Sequence, residues 1–130
     1  MSSEERRAAI LRAASRLFEH YGYAKTTMAD VAREANVGVG TVYLEFDSKE
    51  AIVRELSQSA HAAVLEAMRA AAVNEDPATC LTSVLTARTA RFLELRAKGQ
   101  HACELVHCKT EGVRAAHERF REEEHALLVE

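Results

Sequence analysis

Five residues of metal-ligating type lie within eight positions: His101, Cys103, Glu104, His107 and Cys108. On a helix, His101, Glu104 and Cys108 fall within about 60° of one another, and Cys103 and His107 share another face. Spacings of three and four are usable for a metal or a thiol sensor. No CxxC or HxxxH pair is present, however, and one short helix rarely supplies a complete site. Packing of the cysteines as small hydrophobes competes with ligation, so no metal or other cofactor is assigned. The candidate lining of an organic-effector pocket is Phe92, His101, Leu105, Cys108 and His117. His117 shares a stripe with Val113 and Phe120 and reads first as a core histidine, whereas His20 and His61 read as surface or partly buried.

Evidence for catalysis is thin. There is no glycine-rich phosphate loop and no nucleophile motif, and the carboxylates are spread along polar faces. Glu122-Glu123-Glu124 reads as a solvated face. Arg88 and Arg91 lie between apolar residues and could face an acidic ligand, although snorkelling is the simpler account. An enzyme is not required.

The elements that must position these residues are helices. The 130 residues are 48% hydrophobic and 28% charged, with one proline, five glycines and no tryptophan. That composition is too apolar for a disordered chain and poor in β-formers. The net charge of -3 excludes a polybasic wrapper but leaves room for local nucleic-acid contacts. Three cysteines and a charged N-terminus point to a cytoplasmic chain without a disulfide framework or secretory signal. No apolar run approaches the roughly 20 residues a membrane span needs.

Apolar residues at three-and-four spacing predict a helix over 4–21, with Ile10, Ala13, Ala14, Leu17, Phe18 and Tyr21 on one stripe. Thr27 and Asp30 form a capping signature for a short helix to Ala35. Asn36-Val37-Gly38 is a turn, and a second short helix follows over 39–46 with Val42 and Phe46 inward. A long helix over 49–72 carries a stripe that includes Ile52, Val53, Ala60, Ala63, Val64, Ala67 and Met68. Asp76-Pro77 starts a fifth helix bearing Leu81, Val84, Leu85, Phe92 and Leu95, which ends at Gly99. Residues 100–108 look helical, and Thr110 can cap a last helix. Its pattern is still running at Glu130, so the last helix is expected to be incomplete in these residues.

Two short helices joined by a tight turn are a helix-turn-helix candidate. Ala32 is small enough for the crossing, Val37 supplies the apolar residue after the turn, and the second helix keeps one face free for a major groove. The run Thr26 to Ala51, with Ile10-Leu11, Leu17-Phe18 and Tyr21-Gly22-Tyr23 upstream, resembles the DNA-binding segment of the TetR family of bacterial repressors. The resemblance covers residues 5 to 56.

That resemblance implies roles. Thr27 would bond a DNA phosphate through its hydroxyl and backbone N–H. Gly38, Val39, Gly40 and Thr41 would face the groove. Tyr43 would place its hydroxyl on a phosphate, and Lys49 would pair with another. Lys25, Arg6 and Arg7 are further candidates for the DNA backbone. The sequence departs from the family at Val39, where polar or basic residues are frequent, and at Leu44 and Glu45, where aromatic or His residues are common. Phosphate would repel Glu45 unless it accepts from a cytosine amino group or points away. Segment 1–56 carries eight Lys+Arg and nine Asp+Glu, so base readout is expected to lean on thymine methyls.

The resulting reading is an all-α protein. Residues 1–47 form a three-helix DNA-binding domain, and residues 48–130 form a helical effector-binding and dimerisation domain. The expected function is a ligand-responsive regulator, most simply a repressor. As a homodimer it would bind a palindromic site on double-stranded DNA, and a small-molecule effector would release it. Members of the family continue with two more helices that build the dimer interface, and the 130 residues stop before them. Two alternatives stand beside this: a protein-interaction module with weakened DNA binding, and a metal or redox sensor using residues 101–108.

Overall fold

The computed structural model describes residues 2–73, 76–99, 101 and 111–129. Among these residues there are six helices and no strand: α1 (Ser3–Tyr21), α2 (Met28–Ala35), α3 (Val39–Glu45), α4 (Lys49–Ala71), α5 (Pro77–Ala97) and α6 (Glu111–Val129). The all-α expectation is met. Leu105, Cys103, Glu104, His107 and Cys108 lie outside the described residues.

Capping chemistry sets most of the boundaries. Ser2 and Glu5 close a capping box on α1. Gly22 ends the helix with φ 91°, a value that excludes most side chains, and donates its N–H to the Phe18 carbonyl at 3.0 Å. Thr26 is buried and spends its hydroxyl on the Gly22 carbonyl at 2.9 Å. Asn36 adopts the left-handed conformation (φ 59°, ψ 44°) after α2. The Val37 N–H reaches the Ala32 carbonyl at 2.9 Å and the Asn36 N–H reaches that of Arg33 at 3.2 Å, which is a Schellman closure. The tight turn read from Asn36-Val37-Gly38 therefore has a definite hydrogen-bond basis.

Two apolar clusters share α4 between them. The first joins Ile10, Ala13, Ala14 and Phe18 of α1 to Val31 and Ala32 of α2, Val42 of α3, and Ile52 and Val53 of α4. Leu95 of α5 and Val113 of α6 close it from behind. The second gathers Val64, Leu65 and Met68 of α4 with Val84 of α5 and Phe120 of α6. At about 1.5 Å per residue, the 23 residues of α4 span about 35 Å, enough to serve both clusters.

The inner stripe of α4 differs from the one expected. Ser57 and His61 are buried with Val64, Leu65 and Met68, while Ala60, Ala63 and Ala67 are half-buried. His61 is 2% exposed, so its reading as a surface or partly buried residue is corrected. The burial is tolerated because His61 Nδ1–H donates to the Ser57 carbonyl at 2.8 Å, one turn back. Its ring lies 4.8 Å from Phe120 and 5.6 Å from His117, centroid to centroid. The solvated reading of Glu124 is corrected as well, since it pairs with Arg88 and is half-buried. Arg88 in turn sits over the rings of Phe92 and Phe120. Tyr21, expected on the α1 stripe, is exposed in the last turn, and on α5 Leu81 and Leu85 are exposed, so that helix's expected stripe is covered only at Val84, Phe92 and Leu95. No helix among the described residues is long and apolar enough to cross a membrane.

One close approach ties the end of α5 to α1. A Cβ on Gly99 would lie 2.6 Å from the Glu19 carbonyl oxygen. The His101 N–H donates to that same oxygen at 2.8 Å. Backbone meets backbone here, so no flexible side chain can yield. Gly99→Ala is expected to destabilise the chain by about 1–3 kcal/mol through this overpacking. Urea unfolding monitored by far-UV circular dichroism checks it, and an unchanged midpoint would show that the approach is not tight.

Candidate nucleic-acid interface

The interface is built on α3. Val42 and Phe46, at i and i+4, are buried and anchor one face of the helix in the first core. The rest of the helix is open: Tyr43 is 52% exposed and Leu44, directly opposite Val42 and Phe46, 81%, while Val39 in the first turn is 44% exposed. Gly38 and Gly40 are exposed at the start of the helix, and nothing lies within 4 Å of a Cβ built on Gly40. Thr41 is half-buried. The four groove-facing candidates and Tyr43 thus occupy the first two turns of α3. Leu44, singled out in the sequence only as a departure, is the most exposed large side chain on that helix.

The start of α2 flanks this face. Thr27 Oγ1 accepts the Asp30 N–H at 3.1 Å, and the Thr27 N–H donates to Asp30 Oδ2 at 3.0 Å. The backbone N–H expected to meet a phosphate is therefore held by Asp30. Hydrogen bonds from the Thr27 backbone and hydroxyl, then the Arg33 guanidinium, hold the Asp30 carboxyl below its usual range. Asp76 is lowered in the same way by the Thr79 hydroxyl and N–H at the start of α5.

The pH dependence follows in sign. A lowered carboxylate contributes stability above its unfolded value, and that contribution is lost as pH falls through the lowered folded value. Both caps should weaken on acidification below the ordinary aspartate value of 3.8. Thr27→Ala is expected to cost about 1 kcal/mol at neutral pH. Asp30→Asn, which removes the titrating carboxylate, is expected to flatten the acid limb of the stability curve, as measured by thermal melts from neutral pH downward. An acid limb as steep as the parent's would contradict the Asp30 assignment.

The expected basic contacts are disposed differently from one another. Lys25 is exposed between α1 and α2. Lys49, at the start of α4, donates to the Tyr23 carbonyl at 2.8 Å and lies 4.1 Å over the Tyr23 ring. Arg6 and Arg7 turn toward the far end of α3. Arg6 bonds Glu45 Oε1 through Nε and Nη2 at 3.4 and 3.3 Å. Ser3 Oγ donates to the same carboxylate at 3.0 Å. Arg7 Nη1 donates to the Glu45 carbonyl at 3.0 Å, stacks 4.3 Å over the Phe46 ring and pairs with Glu55 of α4. The Glu45 side chain is only 10% exposed. Of the two orientations open to it, Glu45 takes the one pointing away from the groove face. Sequence reasoning missed this constellation because its partners lie about 40 positions apart.

Of the effector-pocket candidates, Phe92 and His117 both flank Phe120, at ring centroid distances of 5.9 and 6.2 Å. The His101 backbone lies instead at Glu19 of α1. Leu105 and Cys108 are outside the described residues. A cavity of about 420 Å³ lies between α4 and α6, lined by Glu55, His61, Leu65, Arg119, Phe120 and Glu123 among others. A second, of about 290 Å³, lies among α1, α4 and α5 near Glu19, Arg91 and Leu95. Arg91 pairs with Glu94 beside it. Among the described residues, no group of three or more His, Cys, Asp or Glu side chains is placed to hold a metal ion.

Comparison with known proteins matches this layout. Residues 10–56 fit the sequence profile of bacterial regulatory proteins of the tetR family. The HTH-type transcriptional regulator TtgR of Pseudomonas putida is 35% identical over 115 residues, covering 80% of this chain and 53% of that protein. The chain thus spans about half the length of that relative. The TetR family regulator PfmR from Thermus thermophilus superimposes with a TM-score of 0.73 at 26% identity, over 92% of this chain and 64% of the other. A putative transcriptional regulator from Pseudomonas aeruginosa gives a TM-score of 0.80 at 21% identity, over 99% and 64%, and shares the fold. With its helix-turn-helix at residues 10–56 and this likeness running on through the helices behind it, the chain belongs to the TetR family of bacterial regulatory proteins.

Proposed function

We propose that this chain is the reading end of a DNA-binding transcriptional regulator, most simply a repressor. The observation that carries it is the two-faced α3, locked by Val42 and Phe46 on one side, open at Gly40, Tyr43 and Leu44 elsewhere, and with Val39 exposed in its first turn. Residues 1–47 act as the reader and residues 48–130 as part of the regulatory domain. Two copies would place their α3 helices in successive major grooves about 34 Å apart, so the operator is palindromic. Val39 and Leu44 meet thymine methyls, while Lys25, Thr27, Tyr43 and Lys49 meet phosphates. A small molecule held behind α4 would release the DNA by favouring a state with another α3 spacing. The cavity between α4 and α6 has the size of an ordinary ligand pocket.

The test is selection from a randomised duplex pool by the purified chain, followed by sequencing. A palindrome with half-sites about one helical turn apart is expected from a dimer, and isolated half-sites from a monomeric reader. Affinity for the selected site is expected to fall steeply with salt. No enrichment at low salt would overturn the reading and leave a helical protein-interaction module.

A further inference from the structure

The sequence places an acid where the groove-facing helix ends, and the structure gives it three partners from α1. We propose that Glu45 is a positioning residue: with Ser3, Arg6 and Arg7 it clamps the C-terminal end of α3 to α1 and, through Glu55, to α4. The inference rests on the DNA-reading function above for its consequence, but the clamp itself is independent of DNA.

The geometry is that of a built joint. The carboxylate accepts from Ser3 Oγ at 3.0 Å and from Arg6 at 3.3 and 3.4 Å, so both kinds of donor converge on one group. Arg7 holds the backbone of the same residue through its carbonyl at 3.0 Å and covers the ring of the next residue, Phe46. Its pairing with Glu55 extends the joint to the second turn of α4. A helix of seven residues is too short to hold its own direction, so its tertiary anchors decide its angle. Val42 and Phe46 fix the depth of α3 but allow it to roll. The clamp removes that freedom at the end opposite Gly38.

Two consequences follow for recognition. Arg6 and Arg7, basic residues near the reader, are committed to α3 and act through it rather than on phosphates. An acid at position 45 does not repel DNA, because it is neutralised and turned inward. Base-edge contacts tolerate only small misplacement, so the clamp is a determinant of sequence discrimination more than of overall attraction.

The test uses the full 130-residue chain and the variants Glu45→Gln, Glu45→Ala and the exchange Arg6→Glu with Glu45→Arg. Hydrogen exchange of the amides at 42–46 is measured without DNA. Binding to the selected duplex and to a scrambled duplex is measured over a salt series. Glu45→Ala is expected to speed exchange at the end of α3. It should also lower the ratio of selected to scrambled affinity about tenfold, the size of one lost base-pair contact. Its salt slope should stay unchanged. The charge exchange is expected to restore most of that ratio, as a coupled pair requires. Tighter binding by Glu45→Gln, or a shallower salt slope in the exchange variant, would overturn the proposal and make the arginines phosphate contacts that Glu45 sequesters. Unchanged exchange at 42–46 would also overturn it. If the parent chain binds no duplex, the DNA reading fails while the exchange measurement still decides the clamp.

Discussion

Gly40→Glu is expected to leave the folded chain at least as stable as the parent and to abolish specific DNA binding. Gly40 is the second residue of α3, and a Cβ there meets open space. Replacing glycine in a helix recovers backbone entropy, and an acid in the first turn suits the helix dipole. Together these raise stability by up to about 1 kcal/mol. On DNA the same side chain occupies the gap between α3 and the groove floor and brings a carboxylate toward phosphates. Losing one or two base-pair contacts at about 1–3 kcal/mol each gives a drop of about 100-fold or more in affinity for the selected operator. Thermal melts and fluorescence anisotropy measure the two quantities on one preparation. The opposite signs are the point of the design, because a merely damaged fold cannot produce them. Binding unchanged in the variant would place the start of α3 outside the groove.

The largest effect on stability is expected from Phe18→Ala. Phe18 is 1% exposed, packs edge-on to Tyr23 at 5.5 Å and belongs to the cluster to which all six described helices contribute. Removing a buried phenyl ring costs the lost transfer energy plus the cavity, about 3–5 kcal/mol. Single domains hold only about 5–15 kcal/mol in total, so the variant should sit near the edge of folding. Because Leu95 and Val113 belong to the same cluster, the loss should reach the rear helices as well. Urea unfolding followed at a far-UV wavelength and by tyrosine fluorescence checks both statements. Two separated transitions, with the rear helices surviving, would show that the clusters do not fold as one.

Much of this was legible in the residues. Thr27 with Asp30 and Asp76 with Pro77 are local signals, and each appears as a cap. Val42 and Phe46 declare a buried face by their spacing alone. What stayed hidden were meetings between distant segments. Nothing near Glu45 announces Ser3 and Arg6, and a histidine four residues after a serine does not announce burial. His61 is buried because its proton has a carbonyl within its own helix, and helical periodicity counts only apolar residues. Apolar periodicity consequently points to Ala60 where the structure buries His61. The exposed Leu81 and Leu85 show the converse: an apolar periodicity states what a face prefers, not what covers it.

The approach of Gly99 to Glu19 has a thermodynamic consequence. The last turn of α1 and the end of α5 share one carbonyl oxygen through the His101 N–H, so neither can be displaced without the other. Suppose a molecule bound behind α4 prefers a different placement of Gly99 and His101. The operator must then weaken that molecule's binding by the same factor by which the molecule weakens the operator's. The affinity of such a molecule, measured with and without a short duplex of the selected sequence, would therefore report the proposed regulation directly, without any gene being transcribed.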